Sequence, residues 1–149
     1  MRALIQRVSH AKVSVDGSVT GHIDHDGILI LLGVTHSDTV EDVRYLARRA
    51  VNLRIFHDDE GKMNRSLLDI GGGALVISQF TLYADSRKGN RPGYSDAAEP
   101  VYAEKLYEEF KKEIQTYALS EFGCGIFGAE MAVEFCNMGP VTIMLESKK

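Results

Sequence analysis

Gly27-Ile28-Leu29-Ile30-Leu31-Leu32-Gly33-Val34 carries no polar side chain from end to end. A strand with one wet face alternates apolar and polar residues, so an unbroken apolar run reads as a strand covered on both faces, at the centre of a sheet. Upstream, residues 2–8 alternate and read as one strand, with Ala11-Lys12-Val13-Ser14-Val15 as a second. Asp16-Gly17 is a two-residue hairpin signal, because both residues tolerate positive φ, and a third strand is expected over 18–23. Downstream, Asp38 and Glu41 have the spacing of a capping box, and Val40, Val43, Leu46, Ala47, Ala50 and Val51 then recur at helical spacing. His57-Asp58-Asp59-Glu60-Gly61-Lys62 is rich in turn residues. Residues 74–83 read as the next buried strand, 84–96 as a long polar loop, and 100–117 as a second helix with Ala103, Leu106, Phe110 and Ile114 inward. Three strands are expected to close the chain, near 122–127, 130–136 and 141–146. The reading is an α/β single domain over residues 1–149, with mixed and antiparallel pairing and two main helices.

Composition narrows the function classes. The 149 residues, 44% hydrophobic and 26% charged, are enough to bury a core without staples and are neither disordered nor membrane-like. No stretch approaches the roughly 18 apolar residues of a membrane helix. The first eight residues alternate and show no charged-then-apolar leader pattern. Cys124 and Cys136 are too few for a disulfide framework, so a cytoplasmic protein with reduced thiols is expected. A net charge of −4 argues against bulk electrostatic binding of nucleic acid, and leaves only a local basic cluster for that role.

One such cluster is Ser86-Arg87-Lys88-Gly89-Asn90-Arg91-Pro92-Gly93, where three cations sit in one loop; it is either a solvated loop or a grip on phosphates. Immediately before it, Ser78-Gln79-Phe80-Thr81-Leu82-Tyr83-Ala84-Asp85 places hydroxyls and an amide inside an apolar run. Strand alternation puts Ile77, Gln79, Thr81 and Tyr83 on one face. Burying such groups unpartnered costs about 1–3 kcal/mol each, so they are either bonded to sheet backbone or used. No histidine, lysine or terminal amine neighbours Thr81 in sequence, which leaves its hydroxyl without an activating base. Near the C-terminus, Gly139-Pro140 precedes a strand and suits a strand-initiating turn. Gly71-Gly72-Gly73 precedes a strand rather than opening a helix, so it is a turn and not a dinucleotide loop. His22-Ile23-Asp24-His25-Asp26 concentrates ligand-type residues, but with no further ligand in evidence it reads as a polar hairpin loop and no metal is expected.

Taken in order and at this separation, Ser78 to Asp85 and Asn137-Met138-Gly139-Pro140-Val141-Thr142 resemble the D-aminoacyl-tRNA deacylases. Arg87-Lys88-Gly89-Asn90-Arg91-Pro92 matches that family too, as do Gln6-Arg7-Val8, Asn52-Leu53-Arg54-Ile55-Phe56, Gly61-Lys62-Met63-Asn64 and Phe127-Gly128-Ala129-Glu130-Met131. The similarity spans essentially the whole chain. It implies a barrel-like β/β/α layered fold and hydrolysis of the ester of D-aminoacyl-tRNA to D-amino acid and tRNA, with glycyl-tRNA mischarged on tRNA-Ala as a further substrate. It also implies an active-site floor of Ser78, Gln79, Phe80 and Thr81. A cis Gly139-Pro140 bond would project into the partner's site of a homodimer, with backbone carbonyls taking the α-amino group and leaving no room for an L side chain. Arg7 would hold that motif, Phe127, Gly128, Ala129 and Met131 would form a site-lining strand, and Arg87, Lys88 and Arg91 would meet the tRNA acceptor end. The family's threonine has been considered as nucleophile. The missing base assigns Thr81 a positioning role instead, with a water and the substrate's vicinal 2′-hydroxyl driving hydrolysis and amides near Phe80 holding the oxyanion. No cofactor, membrane or DNA partner is implied. This chain has Met138 where the family usually has Asp. A deacylase of altered stereochemistry and a non-catalytic tRNA-binding module are the rival readings.

Overall fold

The computed structural model describes residues 1–148. Three strands form an antiparallel start: β1 (Arg2–Val15), β2 (Ser18–Ile23) and β3 (Gly27–Gly33). Helix α1 (Val40–Asn52) comes next, then the short β4 (Phe56–His57), β5 (Met63–Arg65) and α2 (Leu67–Ile70). Strand β6 (Gly73–Ser78) leads to a 3₁₀ turn over Phe80–Tyr83, and α3 (Pro100–Ile114), β7 (Phe122–Cys124) and β8 (Ala132–Glu146) complete the chain. The sheet order is β2-β1-β3-β6-β7 with β8 also pairing β1, and β4 and β5 pair separately.

The continuous apolar run behaves as its composition demands. β3 pairs antiparallel with β1 and parallel with β6, so it is interior to the sheet. Ile28, Ile30 and Leu32 face one core cluster together with Ala74 and Val76 of β6 and with Val43, Leu46, Ala50, Leu106 and Phe110 of the helices. Leu29, Leu75 and Ile77 face the opposite way, into a second cluster with Val8, Ala11, Val13 and Ile23. One face is thus a helix-covered layer and the other the inside of a curled sheet. The curl brings β2 against β7: a Cβ added at Gly123 would lie 2.8 Å from the His22 backbone nitrogen, so only glycine permits that approach. The result is a mixed α/β domain with a nearly closed, barrel-like sheet.

Several boundaries differ from the sequence expectation. Residues 2–15 form one strand, not two, because β8 pairs along almost its whole length and carries it through an irregularity between Val8 and His10. The hairpin at Asp16 and Gly17 is as expected, with φ of 49° and 79°. Helix α1 starts from Thr39 rather than Asp38: Thr39 and Asp42 form the reciprocal capping box. Asp38 is instead buried, its Oδ1 2.5 Å from the Met1 amine and its Oδ2 accepting from the Thr35 N–H at 2.8 Å. The second long helix ends at Ile114. The expected strand at 122–127 is confined to Phe122–Cys124. The two strands expected at 130–136 and 141–146 are one strand, β8, interrupted by an outward excursion.

That excursion is set by register. Gln6 faces Thr142 and Val8 faces Asn137, so Arg7 alone stands opposite the four residues 138–141. The surplus residues leave the ladder and carry Gly139 and Pro140 outward.

Candidate active site

Strand β6 ends at Ser78, and beyond it the chain abandons the strand geometry that alternation suggested. Gln79 donates its N–H to the Leu32 carbonyl at 2.7 Å, the last bond of the ladder, and the chain then winds into the 3₁₀ turn. Within the turn, Leu82 N–H bonds the Gln79 carbonyl at 3.2 Å and Ala84 N–H bonds the Thr81 carbonyl at 3.0 Å. Gln79, Thr81 and Tyr83 therefore do not share a strand face. Phe80 and Thr81 are exposed rather than buried. The turn folds over the end of β3 because Gly33 has no side chain; a Cβ there would lie 3.1 Å from both the Gln79 oxygen and Leu82 Cβ. Arg2 fastens the far end, donating from Nη1 to the Leu82 carbonyl at 2.8 Å and lying 4.6 Å above the Tyr83 ring.

Ser78, Gln79 and Phe80 line a cavity of about 420 Å³, together with Leu32, Tyr94, Glu99, Tyr107, Phe127 and Gly128. Phe80 meets Tyr94 edge-on, with ring centroids 5.1 Å apart, and both aromatics are exposed. Tyr107 lies deep, donating to the Val76 carbonyl at 3.1 Å and touching Phe127 at a centroid distance of 5.8 Å. Burial pushes its phenol well above the ordinary range, so it is a fixed hydrogen-bonded wall and not a proton donor to solvent. Thr81 Oγ1 accepts from Gln79 Nε2. No histidine or lysine hydrogen-bonds Thr81 among the described residues, and the Phe80 and Thr81 backbone N–H groups carry no intramolecular partner there. Thr81 itself is not a lining residue of the cavity, and the 3₁₀ turn at its edge carries two free amide donors beside an amide-held hydroxyl.

The segment 127–131 is a loop, not the strand the resemblance implied, because β7 stops at Cys124 and the Ala129 N–H closes a turn on the Ile126 carbonyl. It splits functionally: Phe127 and Gly128 line the cavity, whereas Ala129 does not and Met131 packs into the barrel-side core. Tyr94 and Tyr107 were not singled out from the sequence, since an aromatic in a loop and one on a helix core face carry no local signal of a shared wall.

Gly139 and Pro140 stand elsewhere. The 420 Å³ cavity includes no residue from 137–142. Gly139 and Met138 instead border a wider cleft of about 790 Å³, with Arg7, His25, His57 and Arg65. The Gly139-Pro140 bond is cis. Arg7 is 7% exposed and spans from the excursion to the body, donating Nε to the Met138 carbonyl at 2.8 Å and Nη1 to the Ile55 carbonyl at 2.7 Å. A further clamp, not read from the sequence, closes the base of the excursion. Asn137 Nδ2 donates to Gln6 Oε1 at 2.5 Å, Asn137 Oδ1 accepts from the Val141 N–H at 2.7 Å, and Thr142 Oγ1 donates to Gln6 Oε1 at 2.6 Å. Met138 holds Arg7 through its carbonyl, so its replacement of an acidic residue leaves that anchor in place.

The basic loop is a hairpin-like arm, tied by paired backbone bonds between Asp85 and Gly93 at 2.8 Å. Arg87 is committed locally: Nε and Nη2 both bond the Asp85 carboxylate at 2.8 Å, and that pairing holds Asp85 well below the usual carboxylate range. Lys88 and Arg91 have no ion-pair partner among the described residues.

The fold and this cavity define a small α/β protein with an open pocket built on backbone donors, hydroxyl and amide groups. The family model described as D-Tyr-tRNA(Tyr) deacylase matches residues 4–146, and the chain belongs to that family. Proteins named D-aminoacyl-tRNA deacylase from Fervidobacterium nodosum and Clostridioides difficile are each 55% identical over all of this chain and 99% of theirs. One from Roseiflexus castenholzii is 58% identical over 99% of this chain and 92% of its own. Among solved structures, a c-Myc DNA unwinding element binding protein superposes with a TM-score of 0.93 at 39% identity, covering all of both chains. A probable eukaryotic D-amino acid tRNA deacylase superposes with a TM-score of 0.82 at 16% identity over 97% of each, a likeness of fold.

Proposed function

We propose that this protein hydrolyses the ester of D-aminoacyl-tRNA, releasing D-amino acid and tRNA, as a homodimer whose sites are completed across the subunit interface. The observation that carries the reading is the separation of the two motifs. Ser78, Gln79 and Phe80 line one cavity and Gly139 borders another, so a single copy does not bring them onto one substrate. A second copy does, if the excursion of one subunit enters the cavity of the other. Exposed Phe135, Met138 and Met144 on β8 supply an apolar surface suited to such contact.

In this reading the aminoacyl ester lies against the 3₁₀ turn. The free N–H groups of Phe80 and Thr81 receive the oxyanion as a nucleophile attacks the carbonyl carbon. Thr81, with its hydroxyl held by Gln79 and no base beside it, positions the ester or the attacking water. The terminal ribose 2′-hydroxyl assists from the substrate. The Phe80–Tyr94 pair offers stacking surface for the terminal base. Carbonyl oxygens of the partner's Gly139-Pro140 segment take the α-amino group and occupy the space an L side chain would need. Glycine has no side chain to exclude, so glycyl-tRNA is a second substrate. Lys88 and Arg91 contact acceptor-end phosphates, with Arg87 shaping the arm through Asp85. The reaction proceeds in the cytoplasm without a cofactor, and DNA is not a partner.

The test compares matched D-tyrosyl-tRNA and L-tyrosyl-tRNA with the purified protein and its Pro140→Ala variant. Loss of only the D-ester, with selectivity degraded in the variant, supports the reading. Cleavage of neither ester favours a tRNA-binding module, and cleavage of both refutes the stereochemical argument. A strictly monomeric, fully active preparation refutes the cross-subunit site.

A further inference from the structure

The short polar stretch between β2 and β3 acquires in the fold what it lacked in the sequence. Glu121, almost a hundred positions downstream, is brought onto it by the curl that sets β2 against β7. The ligand atoms of His22, Asp24 and Glu121 lie within 4.8 Å of one another. His22 Nδ1 is 3.2 Å from Asp24 Oδ1, and His25 Nε2 is 3.1 Å from Glu121 Oε1. Donor atoms around a tetrahedral ion with bonds of about 2.0–2.2 Å stand roughly 3.3–3.5 Å apart, so the His22–Asp24 pair is close to an edge of such a coordination shell.

We propose that His22, Asp24 and Glu121 form a site for a divalent transition-metal ion of the zinc class, with the fourth position left to water. The donor set, one imidazole and two carboxylates, suits a borderline ion. Two outer contacts orient it. His25 stands outside that group, with Nε2 3.1 Å from Glu121 Oε1 and Nδ1 3.3 Å from the Asp26 carbonyl, and buttresses the Glu121 carboxylate. Glu121 Oε2 accepts from the Asp24 N–H at 2.9 Å, which fixes the carboxylate beside Asp24. Ser120 Oγ, 3.3 Å from His25 Nε2, is the one other polar group on that nitrogen among the described residues. The ion is structural and lies outside the catalytic cavity. It clamps the seam where β2 meets β7, upstream of the loop that delivers Phe127 and Gly128.

Tag-free protein stripped with chelator is titrated with Zn²⁺ by calorimetry and with Co²⁺ by visible absorption, alongside His22→Ala, Glu121→Gln and the control His10→Ala. One ion per chain is expected, with affinity in the micromolar range or tighter and a Co²⁺ absorption band. Each site variant is expected to lose about 10–100-fold in affinity, with the control unchanged. Zn²⁺ at a hundred times its dissociation constant is expected to raise Tm by roughly 5–10 °C, and by less in both site variants. His22 is more than half exposed, so His22→Ala is a fold-neutral probe. A titration without a stoichiometric end point overturns the site, and so does binding that survives both site variants.

Discussion

Arg7 joins a strand of the body to the excursion that carries Gly139, and its removal has a calculable effect. Its guanidinium makes two charge-assisted bonds to carbonyls, at 2.8 Å to Met138 and 2.7 Å to Ile55. A lysine at this position reaches one carbonyl at a time, so Arg7→Lys forfeits one bond, worth about 1.5–3 kcal/mol for a charged donor in a buried setting. If the Met138 anchor is the one lost and its loss is felt in the transition state, kcat/KM for D-tyrosyl-tRNA falls by roughly 10–150-fold. Arg7→Ala strands both carbonyls and is expected to be worse in rate and in stability. The assay is single-turnover deacylation of D-tyrosyl-tRNA with urea unfolding run in parallel. Arg7→Lys is expected to lose no more than about 1.5–3 kcal/mol of stability, remaining folded without urea while losing rate. A wild-type rate in Arg7→Lys would refute the claim that Arg7 positions the excursion. A rate loss matched by an equal loss of folded protein would refute it too, by reducing Arg7 to a structural role.

Four other outcomes are expected. Thr81→Ala retains measurable hydrolysis at reduced rate; complete loss with intact tRNA binding, read by filter binding and single-turnover kinetics, would restore the nucleophile role. Removing Lys88 or Arg91 weakens tRNA binding and lowers the slope of log affinity against log salt by about 0.7–0.9 for each phosphate no longer neutralised, whereas Arg87→Ala acts mainly on the shape of the arm. Burial disfavours ionisation of Asp42, but hydrogen bonds from Ser147, from the Thr39 backbone and from Lys148 outweigh it and bring its pKa from 3.8 to about 2. Because the folded value is the lower one, that stabilisation is full above about pH 4 and disappears as pH falls through about 2; urea titrations should show up to about 2 kcal/mol of it, absent in Asp42→Asn. Phe110, with no exposed surface, packs in the helix-covered core, and Phe110→Ala should destabilise by about 3–5 kcal/mol in chemical denaturation.

What the sequence reveals depends on how local each cause is. The run at 27–34 declares β3 because coverage on both faces leaves its mark on every residue. Asp16-Gly17 declares a hairpin because the turn needs positive φ and those residues permit it. Phe80-Thr81-Leu82-Tyr83 misleads for the same reason in reverse. Aromatic and β-branched residues favour a strand, but β3 ends at Gly33, so the strand has no neighbour to pair with and closes on itself in a 3₁₀ turn. The motif residues of the site are legible through resemblance. Their separation into two cavities is not, because it depends on which side of the sheet each strand end meets. Glu121 beside His22 is equally invisible: Gly21 and Gly123 permit the approach of β2 to β7, but a glycine does not say which strand it will meet.

The excursion at 138–141 leaves the β1–β8 ladder and returns to it, with Gln6 opposite Thr142 and Val8 opposite Asn137 pinning the two ends. Lengthening or shortening it by a residue would move the tip alone, because both flanks stay hydrogen-bonded to a strand that never breaks. The Gly139-Pro140 segment is therefore a replaceable tip on a fixed handle. Its reach and chemistry are open to change by mutation without renegotiating the core, so that, in the role proposed for it, discrimination between substrates can evolve on a different schedule from stability.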